Sequence, residues 1–219
     1  YQAHFLQYMQ NRGLADTTKQ RVWTFLGDGE MGEPESVGAL AFAAREKLSH
    51  LICVVSCNLL RLDGPVMPNH RVVQNLEGVF KGAGWRVIKV VLNSGWDRLF
   101  AKDTSGLLVR RLSELNDGQE QNFYVHDGAY MREHFFGASP ELLALVADMS
   151  DDELKEQLLP GGHDPRKLFS AYKKAVEPGD QPVVILARTI KGFGLGGDAE
   201  GQYIAHNKKK MSEESLLAF

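Results

Sequence analysis

Cysteine is scarce in this sequence. Its 219 residues contain only Cys53 and Cys57, too few for the disulfide framework of a small secreted scaffold. On a strand, these two would point the same way about 13 Å apart, too far to bond to each other. They read as buried structural thiols, in keeping with a reducing cytoplasm. No apolar run approaches the roughly 18 residues a membrane span needs. An excess of positive charge is also missing. The chain has 25 Lys and Arg against 28 Asp and Glu, a net charge of −3, which disfavours a general nucleic-acid binder. Internal repeats and low-complexity linkers are absent too, so residues 1–219 read as a single domain with ample length for a core.

What is present points to an α/β fold. Apolar runs at 22–26, 51–57, 87–92 and 182–187 are nearly continuous in Val, Ile and Leu, as strands covered on both faces are. Between the first two, Val37, Leu40, Ala41, Ala44 and Leu48 repeat at helical spacing behind Pro34, which predicts a helix over 35–48. Segments 72–82 and 94–102 also read as helical. Strands alternating with helices predict a doubly wound, mostly parallel sheet with helices on both faces. Residues 103–179 are charged and helix-forming, with caps at Ser139 and Asp164, and read as a helical excursion before the sheet resumes. The tail, 191–210, gathers Gly192, Gly194, Gly196, Gly197 and Gly201 before three lysines. It reads as a loop that is mobile without a ligand, followed by a short helix from Ser212.

The candidate chemistry lies at two strand ends. The first strand runs into Gly27, Asp28, Gly29 and Glu30, and the second into Cys57 and Asn58. Open parallel sheets bind ligands beyond the carboxyl ends of their strands, so Asp28 and Asn58 should face one crevice. A carboxylate and an amide oxygen are hard ligands suited to Mg²⁺ completed by phosphate oxygens and water. The glycines let backbone approach a phosphate, and the helix near Pro34 aims its positive end at the same region. An Asp-Gly pair alone is more often a plain turn; the pairing with Asn58 gives it weight.

This pairing resembles the thiamine diphosphate signature of the transketolase and 2-oxoacid dehydrogenase superfamily. The stretches GDGEMGEPES (27–36), CNLLRLDGPV (57–66), DGAYMREHFFG (127–137), GGHDP (161–165) and TIKGFG (189–194) are similar, over essentially the whole chain, to the homodimeric-type pyruvate dehydrogenase components of bacterial pyruvate dehydrogenase complexes. The resemblance implies thiamine diphosphate and Mg²⁺ as cofactors. Asp28, Asn58 and the main-chain carbonyl of Leu60 would hold the metal, Gly29, Glu30 and Lys191 would attend the diphosphate, and His206 would help hand an acetyl group to the acceptor. The implied reaction decarboxylates pyruvate and reductively acetylates the lipoyl domain of a dihydrolipoyl acetyltransferase component, carried out by a cytoplasmic homodimer without membrane or nucleic acid.

In that family the glutamate activating the cofactor's aminopyrimidine ring lies on a different domain, across the dimer interface, and no counterpart is evident here. Together with a start at Tyr1, this gives the expectation of one part of a longer enzyme. Two positions depart from the family pattern: Gly32, usually acidic, and Ser56, often Asn. Two other readings stay open: a transketolase-type domain, for which no sugar-phosphate contacts are identifiable, and a non-catalytic assembly module retaining the fold. Elsewhere the plain readings stand. His134 and His163 read as helix-face and pre-cap residues, and Arg132 with Glu133 as a solvated or interface pair.

Overall fold

The computed structural model describes residues 1–62, 64–67, 70–196 and 199–218; Asp63 of the second motif and Gly197 of the tail lie outside the described residues. Strands β1 (Val22–Gly27), β2 (Leu51–Cys57), β3 (Arg86–Val90) and β4 (Val183–Arg188) form one sheet in the order β1-β2-β4-β3, with every neighbouring pair parallel. The third strand is shorter than its apolar run. Leu92 leaves the ladder to bridge Pro160, and the Val91 carbonyl accepts the Gly161 N–H at 2.8 Å.

Helices cover both faces. On one side α1 (Gln2–Asn11), α2 (Pro34–Arg45) and α3 (Val72–Gly82) pack Ala3, Leu40, Leu76 and Phe80 against Cys53, Val55, Val184 and Leu186. On the other side Ile52, Val54, Val183 and Ile185 meet Ala171 and Ala175 of a helix late in the chain. Alternate residues of β2 and β4 therefore enter different cores. That is why their sequences are continuous apolar runs. Cys53 and Cys57 are free and buried in the first core.

Between β3 and β4 run α4 (Asp97–Lys102), α5 (Leu107–Glu114), α6 (Asp117–Val125), α7 (Gly128–His134), α8 (Pro140–Leu145), α9 (Asp151–Gln157) and α10 (Pro165–Ala175). These helices enclose a third core, in which Trp96 packs edge-on to Phe135 at 5.8 Å. The caps fall where the sequence places them. Ser139 accepts the Leu142 N–H, and Asp164 accepts those of Arg166 and Lys167; Asn116 and Ser150 add capping boxes. Arg132 does not pair with Glu133. It ion-pairs with Asp151 at 2.6 Å and donates to the carbonyls of Val146 and Met149, because these close the turn between α8 and α9. The tail carries a 3₁₀ turn, Tyr203–His206, and α11 (Glu213–Ala218). Among the described residues, no helix is long and apolar enough to cross a membrane.

Candidate functional site

Asp28 ties together the carboxyl ends of β1 and β2. Its Oδ1 accepts the Gly29 N–H at 3.0 Å, capping the 3₁₀ turn Gly29–Gly32, and its Oδ2 accepts the Leu59 N–H at 2.7 Å. Leu59 occupies the left-handed region, φ 68°, which for a residue with a branched side chain costs on the order of 1–3 kcal/mol. Two contacts hold it there: the Asp28 carboxylate, and the Val66 N–H donating to the Leu59 carbonyl at 2.9 Å. The kink leads into a tight loop closed by the Leu60–Pro65 bridge. At its entrance Asn58 Oδ1 accepts the Leu60 N–H at 3.0 Å.

These ends open on a cleft of about 420 Å³. Asp28, Gly29, Glu30 and Asn58 line it with Leu60, Lys191 and His206, so the structure gathers every site residue expected from the sequence. Lys191 Nζ donates to the carbonyls of Leu60 (3.4 Å) and Arg61 (3.1 Å). Glu30 folds back, its Oε2 accepting the Gly27 N–H at 2.5 Å. His206 is exposed at the end of its 3₁₀ turn.

The oxygen set suits a hard cation. Asp28 is only 2% exposed, and among the described residues no cation forms an ion pair with it. Burial pushes its carboxyl above the usual range, opposed by the N–H groups of Leu59 and Gly29 and by the charge of Arg188. A divalent ion would offset that burial cost. The Leu60 carbonyl, already in contact with an ammonium, lies where positive charge is favoured. A carboxylate, an amide oxygen and a main-chain carbonyl form an all-oxygen donor set of the kind Mg²⁺ takes with phosphate. Among the described residues, no cluster of three His, Cys, Asp or Glu offers a competing metal site. The cavity of about 220 Å³ lined by Trp96, Phe123 and Phe135 is more apolar, with Glu120 as its one carboxylate, and contains neither Asp28, Asn58 nor Leu60.

Two arginines of this region were not singled out in the sequence. Arg61 lines the cleft. Arg188, fully buried, donates to Glu120 Oε1 at 2.8 Å, the Cys57 carbonyl at 3.3 Å and Gln121 Oε1 at 3.3 Å, while Gln121 Nε2 donates to the Gly201 carbonyl at 3.0 Å. One guanidinium thus joins a strand end, the excursion and the tail. Its only signal in the sequence is a charge closing an apolar run. His163 is no ligand: its Nε2 accepts the Ile190 N–H at 2.7 Å and its ring stacks on Phe193 at 3.7 Å. Ser56 Oγ lies 2.8 Å from Thr189 Oγ1.

The family described as transketolase, thiamine diphosphate binding domain, matches residues 2–101, which include Asp28, Asn58 and Leu60. Over those residues the chain is similar to the thiamine diphosphate-binding domain of transketolase. The whole chain is 56% identical over 219 residues to the pyruvate dehydrogenase E1 component of Pseudomonas aeruginosa, covering 100% of the chain and 25% of that protein. It is 58% identical to the Haemophilus influenzae E1 component, covering 100% and 24%. Against the Escherichia coli K12 protein the identity is 56% over 216 residues, covering 99% and 24%. The chain therefore spans about a quarter of the length of these relatives. Among solved structures, transketolase from Campylobacter jejuni superposes with a TM-score of 0.51 at 16% identity, over 93% of this chain and 20% of that one. This likeness concerns the fold.

Proposed function

We propose that the chain anchors the diphosphate of thiamine diphosphate through Mg²⁺, as part of a pyruvate dehydrogenase of the E1 type. The observation that carries the reading is the convergence of Asp28, Asn58 and the Leu60 carbonyl at adjacent strand ends, with Lys191 beside them. Asp28 and Asn58 supply side-chain oxygens to the metal, and Leu60 its carbonyl. Gly29 and Glu30 bring backbone close to the diphosphate, and Lys191 neutralises a phosphate oxygen as a point charge. The bound cofactor supplies nucleophilic addition to a 2-oxo acid and an electron sink for decarboxylation. His206, exposed at the cleft, helps hand the acetyl group to the acceptor.

The identities of 52–58% along the chain favour pyruvate as substrate and a lipoyl domain as acceptor over a transketolase reaction. A homodimeric, cytoplasmic enzyme is the assembly that fits this reading. Titration calorimetry of the chain with thiamine diphosphate and Mg²⁺, repeated with Asp28→Ala, tests the anchor. Metal-dependent binding is expected in the parent and lost in the variant. Binding that survives the substitution unchanged would sink the metal assignment.

A further inference from the structure

The cleft contains one cation with no task so far. Arg61 lies along the turn Gly29–Gly32: a Cβ on Gly29 would sit 3.2 Å from its Cγ, and one on Gly32 would run into its Nη2. The side chain thus fills room that two glycines leave. Its backbone is fixed, the Arg61 N–H donating to the Gly64 carbonyl at 2.7 Å and the Arg61 carbonyl accepting from Lys191 at 3.1 Å. The guanidinium makes no ion pair among the described residues. It presents five donors in a planar fork, the shape that pairs two phosphate oxygens at once.

Charge bookkeeping points the same way. The ionised side chains of the lining are Asp28, Glu30 and Glu33 against Arg61 and Lys191. A dication bound there makes this lining positive by one charge, and without Arg61 it would be neutral. A diphosphate carrying about three negative charges needs that extra cation.

We propose that Arg61 is a second diphosphate-binding cation of this cleft, holding the anion by its fork while Lys191 acts as a point charge, and that Gly29 and Gly32 keep its place open. The proposal rests on the thiamine diphosphate reading of the site. It is tested by calorimetric titration of the chain with inorganic pyrophosphate in excess Mg²⁺. Arg61→Met is expected to bind about tenfold more weakly, the scale of a lost charge-assisted pair, and Arg61→Lys nearly as weakly. Gly32→Asp, which sets a carboxylate against the guanidinium, should weaken binding as well. Thermal unfolding like that of the parent shows that each variant is folded. If Arg61→Met or Arg61→Lys binds pyrophosphate as the parent does while Asp28→Ala does not, the proposal falls and the metal site stands. A parent chain that binds no pyrophosphate overturns both.

Discussion

Cys57 ends β2 one residue before Asn58, close enough to the cleft to suggest reactivity, yet its surroundings suppress it. Burial and the Asp28 carboxylate both push its thiol far above the usual range, and burial pushes Cys53 up to about 12. The thiolate is the nucleophilic form, so neither cysteine should react in the folded chain. Labelling by a maleimide reagent is expected to proceed only at the rate of unfolding. Faster modification of either residue under native conditions would contradict the packing described for the first core. The same economy of exposure applies to Asp28, whose two backbone hydrogen bonds leave its charge for a cation to meet.

Two adjacent residues fix how the excursion rejoins the sheet. Asp164 caps α10 and accepts from the Ser94 N–H and hydroxyl. Burial alone would raise its carboxyl, but the Ser94, Lys167 and Arg166 donors outweigh it and hold it at about 2. Asp164→Ala should therefore cost about 1–2 kcal/mol, the upper part of the range for a lost cap, read as a shift in denaturant midpoint; a variant within error of the parent would show the cap to be idle. His163 is held at about 4 by burial and by the charge of Arg188, against about 6.5 when unfolded. Its neutral Nε2 accepts the Ile190 N–H, a bond that the protonated ring cannot make. Because the folded value is depressed, the stability it contributes is complete above about 6.5 and lost as pH falls toward 4. Asp164 keeps its own contribution until pH falls below about 4, so His163 is the one of the two that titrates between pH 6.5 and 4.5. His163→Gln keeps an acceptor but cannot titrate. The melting temperature of the parent should decline more steeply than that of the variant across this window, and parallel declines would refute the role assigned to the ring.

At the scale of the molecule, strand identity was readable and strand order was not. β2 and β4 announce themselves because burial on both faces removes alternation. Nothing within 183–188 says that this segment enters between β2 and β3, since that placement depends on how the excursion folds back. Asp28 and Asn58 were legible because strand ends in a parallel sheet share an edge. Arg61 and Arg188 were not, because what surrounds them is contributed by the Gly29–Gly32 turn, by α6 and by the tail, far off in sequence.

The sheet also leaves an apolar edge that sequence patterning does not reveal. Trp23 of β1 packs on Tyr172 of α10 at 5.1 Å. Phe25, two residues along the same strand face, is 66% exposed, as is Phe169, three residues before Tyr172, at 69%. Aromatic surface of this kind beside a core is what association removes from water, at about 25 cal/mol per Å². The chain alone is expected to self-associate, its sedimentation-derived mass rising with concentration. Phe25→Ser combined with Phe169→Ser should suppress the rise without lowering the melting temperature, because neither ring is buried in a core. A parent that stays monomeric through hundreds of micromolar would show that this edge is tolerated in water.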